Sequence, residues 1–186
     1  MSSYFYLSHS EDETKQLAKL LASFLQKGDL VILTGDLGSG KTKLIEGILT
    51  YFHLEDEISS PTFTIVNEYD SSQGPIFHFD VYRLTDSSEF SEIGGEEYLA
   101  RGICLIEWGE QILDVLPPDY LQISFSRSYD DPNLDSNSVF YSDTKLDLAS
   151  DSCLDSDRLL KFTAHGERYE TLISRLPLLK EEENHS

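Results

Sequence analysis

A single α/β domain, a sheet with helices on its flanks, is what this sequence predicts, and three observations carry the prediction. Short apolar runs such as Leu30-Val31-Ile32-Leu33 and Ile103-Cys104-Leu105-Ile106 read as strands buried on both faces. Segments with apolar residues at helical spacing alternate with them. Gly35-Asp36-Leu37-Gly38-Ser39-Gly40-Lys41-Thr42 then completes the pattern G-x-x-x-x-G-K-[ST] between a strand and a helix, which makes the expected sheet P-loop NTPase-like.

The elements follow in order. Ser10-Glu11-Asp12-Glu13 reads as a capping box, with Ser10 at the N-cap and Glu13 three residues on. Leu17, Leu20, Leu21, Phe24 and Leu25 continue that helix until Gly28 stops it. Asp29 to Thr34 is a buried strand, the glycine-rich octamer follows, and Leu44, Ile45, Ile48, Leu49 and Phe52 mark the inner face of the next helix. Thr62 to Tyr69 and Pro75 to Val81 read as strands joined by a hairpin turn at Ser71-Ser72-Gln73-Gly74. Ile103 to Glu107, Tyr120 to Ser126 and Leu159 to Ala164 supply further strands, and Glu167 to Leu176 a final helix.

One segment departs from this alternation. Residues 128–158 hold 8 Asp and 7 Ser, with Lys145 and Arg158 as the only bases. So few apolar side chains cannot offset the entropy of ordering, so a long mobile acidic loop is expected within one domain spanning 1–186. Val139-Phe140-Tyr141 is a candidate strand inside it.

Composition narrows the function. With 39% apolar residues and a mean hydropathy of -0.31, the chain reads as a soluble globular protein. No apolar run approaches the ~20 residues of a membrane span. Cys104 and Cys153 form no CxxC pair, and the N-terminus lacks a signal-peptide pattern, so a cytoplasmic setting is expected. Asp and Glu number 34 against 14 Lys and Arg, a net charge of -20, which disfavours tight direct binding to nucleic acid. Such a surface suits docking onto a basic protein instead.

The octamer carries the chemistry. Its glycines let backbone N–H groups curl around phosphates, and the helix starting near Lys41 adds the positive end of its dipole. Lys41, expected as a partly exposed group, supplies a cation for the β- and γ-phosphates, and the Thr42 hydroxyl a ligand for Mg²⁺. An acidic partner is needed at the end of a neighbouring strand, and Asp80 and Glu107 both qualify. Either holds Mg²⁺ while the other orients the attacking water. Thr62, in Ser60-Pro61-Thr62-Phe63, lies where NTPases sense the γ-phosphate. His78, between Phe77 and Phe79, reads as a packing or surface residue. Thr144-Lys145-Leu146-Asp147 matches a guanine-reading T-K-x-D pattern, but it does not end a buried strand, and Asp80-Val81-Tyr82-Arg83 lacks the glycine of a D-x-x-G switch. ATP is therefore expected over GTP.

Four motifs in sequence resemble the bacterial TsaE (YjeE) family. They are the glycine-rich octamer, Ser60-Pro61-Thr62-Phe63-Thr64, His78-Phe79-Asp80-Val81-Tyr82-Arg83-Leu84, and Leu105-Ile106-Glu107-Trp108. The likeness runs from about Ser10 to Ser126 and resumes near Gly166-Glu167-Arg168. It implies a compact ATPase that associates with TsaD and TsaB in tRNA threonylcarbamoyladenosine synthesis. By the same resemblance Thr42 and Glu107 hold Mg²⁺, Asp80 acts near the γ-phosphate, Trp108 borders the nucleotide, and the segment around Glu13 lies near the adenine. Gly109, after the Glu-Trp pair, and the long Ser/Asp-rich segment depart from the family pattern. Two other readings of the same loop remain: a small-molecule kinase, which predicts an Arg-bearing lid, and a nucleotide-gated scaffold without turnover.

Overall fold

The computed structural model describes residues 2–59, 61, 64–126, 139–141 and 157–176, the side chains of 139–141 excepted. Its strands are β1 (Ser3–Ser8), β2 (Leu30–Thr34), β3 (Val66–Ser71), β4 (Gly74–Asp80), β5 (Ile103–Glu107), β6 (Tyr120–Ser126), β7 (Val139–Tyr141) and β8 (Arg158–His165). Its helices are α1 (Glu11–Ala22), α2 (Lys41–Tyr51), α3 (Ser88–Glu92), α4 (Gly95–Arg101) and α5 (Glu167–Arg175), with 3₁₀ segments at Glu55–Glu57 and Gly109–Val115. All eight strands join one sheet in the order β3-β4-β5-β2-β6-β8-β1-β7. The central four, β4, β5, β2 and β6, are mutually parallel, while β3 and β8 run antiparallel to their inner neighbours.

Two apolar clusters cover the two faces, and this is why β2 and β5 are buried along their whole length. Val31, Leu33 and Leu105 pack under α1, α2 and α5 with Leu17, Leu44, Ile48 and Leu172. Leu30, Ile32 and Ile106 face the other way, onto Phe90, Ile112 and the aromatic residues Phe77 and Phe79. α1 starts at the Ser10 cap, where Glu13 N donates to Ser10 Oγ at 3.1 Å, while Glu13 Oε2 accepts from His9 N, one residue before the cap, at 2.7 Å. α5 is tied to the approach to β2 by Arg168, whose guanidinium holds both oxygens of buried Asp29.

Several boundaries differ from expectation. α1 ends at Ala22, before Gly28, because Phe24 N and Leu25 N turn back to Leu21 O and Ala22 O three residues earlier. β3 begins at Val66 and not at Thr62, because Pro61 O accepts from Thr64 N and Ile65 N, and Ile65 sits at φ 67. That left-handed residue breaks the extended run. Two parts of the expected acidic loop belong to the sheet: β7 pairs with β1, and Arg158 opens β8. Asp157, just before β8, is buried beside His9, and the remainder of the segment, with Thr144-Lys145-Leu146-Asp147, lies outside the described residues.

Candidate functional site

The site forms at the carboxyl ends of the parallel strands, where open α/β sheets bind ligands. β2 ends at Thr34 and the chain curls through Gly35, Gly38 and Gly40, all at positive φ, into α2. A Cβ on Gly35 would stand 2.5 Å from Phe125 O, so only glycine fits between the loop and β6. No side chain caps the start of α2 and its first turn has no acidic residue, so its orphan N–H groups face the loop without an internal acceptor. Ser39 Oγ is buried there without a partner among the described residues. Those are the properties of an anion cradle.

Beside it, parallel pairing of β4 with β5 sets Asp80 opposite Glu107. The Thr42 hydroxyl donates to Glu107, 3.0 Å from Oε1 and 3.1 Å from Oε2. Having given its hydrogen to the carboxylate, the hydroxyl keeps lone pairs for a cation. Two neighbouring hard oxygen donors suit Mg²⁺, which takes one or two protein ligands and completes its shell with phosphate and water. Asp80 Oδ1 accepts from Tyr82 N at 3.2 Å. Asp80, Glu107, Trp108, Lys41 and Thr42 line one cleft of about 300 Å³, with Glu11, Lys43 and Arg158 also on its wall.

Lys41 departs from expectation. It is 4% exposed, its Nζ donating to Gly35 O at 2.6 Å and Asp36 O at 2.9 Å and lying 3.8 Å from the centre of the Trp108 ring. Burial pulls its pKa below the ordinary lysine value, against the opposite pull of Glu107, Glu110, Asp80 and Asp36. The loop's own carbonyls and the indole face thus stand where phosphate oxygens would serve a bound nucleotide.

The sequence profile of the family described as "Threonylcarbamoyl adenosine biosynthesis protein TsaE" matches residues 8–134. The chain belongs to the TsaE family. The tRNA threonylcarbamoyladenosine biosynthesis protein TsaE of Bacillus subtilis is 38% identical over 166 residues, covering 89% of this chain and 88% of its own. The TsaE protein of Rickettsia conorii is 45% identical over 117 residues, 62% of this chain and 67% of its own. The crystal structure of YdiB from Bacillus subtilis superposes with a TM-score of 0.68 at 32% identity, over 95% of each chain.

Of the expected site residues, the structure brings Gly38, Ser39, Gly40, Lys41, Thr42, Asp80, Glu107 and Trp108 to one cleft, together with exposed Leu37. Gly35 and Asp36 lie behind it as acceptors of Lys41. Glu13 is not on its wall; its carboxylate accepts from His9 N at the start of α1, and Glu11, in the same segment, lines the cleft. Thr62 lies outside the described residues. Four site residues were missed: Glu11 and Lys43 on the cleft wall, and Arg158 and His78. Arg158, assigned to the acidic loop, has its Cδ and Nε 3.2 Å from where a Gly40 Cβ would stand. His78, read as packing, contacts Glu107. Strand alternation could have found it, since a residue two before Asp80 shares its face.

Proposed function

We propose that this protein is a Mg²⁺-dependent ATPase acting in tRNA threonylcarbamoyladenosine biosynthesis through a complex with TsaD and TsaB. The observation that carries the reading is the Thr42–Glu107 hydrogen bond at the foot of an uncapped, glycine-built helix start. Family membership supports the pathway, and the names of the relatives supply its modification.

In this reading ATP lays its phosphates over the N–H groups of Gly38 to Thr42, and Lys41 exchanges the Gly35 and Asp36 carbonyls for phosphate oxygens. Thr42 and Glu107 hold Mg²⁺, whose charge offsets that of the β- and γ-phosphates. Asp80 orients a water for in-line attack on the γ-phosphorus. One P–O bond forms to that water, the bond to the bridging oxygen of ADP breaks, and phosphate leaves with the released proton. Little covalent work is asked of the protein, so catalysis rests on positioning and charge. The acidic surface, at a net -20, suits a basic protein partner better than the tRNA backbone itself.

The test is phosphate release by wild type and Lys41→Ala, with and without Mg²⁺ and with and without TsaD–TsaB. Release that needs Mg²⁺, rises with TsaD–TsaB and disappears in Lys41→Ala is expected. Unchanged turnover in Lys41→Ala overturns the ATPase reading. Phosphate delivered to an added metabolite in place of water would favour a kinase.

A further inference from the structure

A histidine lies beneath the cleft, and the chemistry just described does not use it. β4 is buried on both faces, and alternation sends Phe77 and Phe79 to one apolar cluster while His78 shares the other face with Ile76 and Asp80. His78 is 1% exposed, and its Nε2 lies 2.9 Å from Glu107 Oε1. An ionised carboxylate only accepts, so the hydrogen of that bond sits on Nε2. Nδ1 is buried with no partner among the described residues, which suits a bare ring nitrogen better than a second N–H.

Glu107 is itself only 5% exposed, and a buried carboxylate needs donors. Among the described residues its side-chain donors are Thr42 and His78. They differ in kind. Thr42 stands on the phosphate-binding loop and turns its oxygen to the cation. His78 stands on the neighbouring strand β4, held by register opposite Leu105, and its bond asks nothing of nucleotide or metal. A site that needed only volume at position 78 would be filled by an apolar ring without the cost of burying an imidazole.

We infer that His78 is a positioning residue for the metal site, its Nε2–H fixing the Glu107 carboxylate in the orientation that Thr42 and Mg²⁺ share. The inference rests on the proposal that Thr42 and Glu107 hold Mg²⁺. Partners that orient metal ligands in this way are worth about 10–100-fold in metal affinity.

The experiment compares wild type with His78→Gln, His78→Asn and His78→Phe. A glutamine amide reaches about as far as Nε2, an asparagine amide stops near Nδ1, and phenylalanine keeps the ring without a donor. Binding of a fluorescent ATP analogue is titrated with Mg²⁺ and repeated in chelator, and thermal stability is recorded. In His78→Phe and His78→Asn, half-saturation is expected to need about tenfold more Mg²⁺, with metal-free binding within about twofold of wild type. His78→Gln is expected to recover most of the difference. Equal Mg²⁺ requirements in all four proteins, or losses of the same size with and without metal, overturn the positioning role. Should His78→Phe not fold, the Asn–Gln contrast alone decides, and no difference between them overturns the inference. Wild-type binding indifferent to Mg²⁺ overturns the metal assignment itself, a failure read without any variant.

Discussion

At the scale of single residues, the two carboxylates opposite one another on β4 and β5 have different neighbours, and this separates their roles. Glu107 is buried and takes hydrogens from Thr42 and His78, whereas Asp80 is half-buried at the cleft wall and accepts from Tyr82 N. Glu107→Gln is therefore expected to weaken Mg²⁺-dependent nucleotide binding by tenfold or more, on the order found when a metal ligand's surroundings are disturbed. Asp80→Asn is expected to keep binding within about threefold while turnover falls about 100-fold, the scale of a lost acid–base or positioning group. Calorimetric binding beside steady-state phosphate release checks both, and the opposite pattern would exchange the two roles. Trp108 offers an optical check on Lys41. It is the chain's one tryptophan, and the ammonium lies 3.8 Å from its ring centre. A nucleotide that draws Lys41 onto its phosphates removes that cation from the indole, so tryptophan emission is expected to change saturably with Mg²⁺-ATP and to stay flat in Lys41→Ala. A flat signal in wild type, with binding confirmed by calorimetry, would mean that Lys41 keeps its indole contact in the complex.

At the scale of elements, α1 and α2 meet at Gly47. A Cβ added there would stand 2.6 Å from Ala18 Cβ and 2.8 Å from Lys15 O, and one of those atoms is backbone. Gly47→Ala is expected to lower stability by about 1–3 kcal/mol, the usual cost of forcing a methyl into a packed contact. Because α2 begins with Lys41 and Thr42, nucleotide affinity should fall as well; urea unfolding and binding measured on the same preparation check the pair. The elements that sequence reading recovered best are those with strong local signals. β5 and β6 fall at the residues expected, and the α2 face of Leu44, Ile45, Ile48, Leu49 and Phe52 is buried as its spacing requires. β1 escaped notice although Tyr4-Phe5-Tyr6-Leu7 is a continuous apolar run of the same kind as β2 and β5, buried without alternation. α3 and α4, of 5 and 7 residues, are too short to show one. In the site, the glycine loop and the two acids were legible because their chemistry dictates residue type and spacing. Arg158 was not, since it owes its place to β8, which meets the site only in the folded sheet, and His78 was overlooked although its alternation with Asp80 placed it on the same face.

At the scale of the whole molecule, tyrosines at the seams of the fold set an alkaline limit. Tyr169 on α5 accepts a hydrogen bond from Leu30 N at 2.7 Å, so it fastens the helix to the first strand of the parallel core. Burial pushes its pKa up to about 12, and burial raises Tyr4 in the same direction. A phenol whose folded pKa lies above its ordinary value of about 10 stabilises the fold fully below that pH. Between about 10 and 12 the unfolded chain sheds its proton first, so that stability drains away as pH rises through the window. Urea midpoints measured from pH 9 upward should fall accordingly. Tyr169→Phe should start lower, with Leu30 N lacking its acceptor, and decline less steeply.

The sheet order also has a consequence for how the chain is made. β1 lies near the start of the sequence, yet its neighbours are β7 and β8, from residues 139–141 and 158–165. Every strand of the parallel core and the glycine-rich loop are complete by residue 126. On a ribosome adding about 5–20 residues per second, β1 is made roughly 7–26 seconds before its first partner strand, β7. During that wait the apolar run Tyr4 to Leu7 must be sheltered by the nascent core or by a chaperone, since the open edge it would otherwise offer invites pairing between chains. The parallel strands and the glycine loop are thus complete before the strands that flank β1 exist.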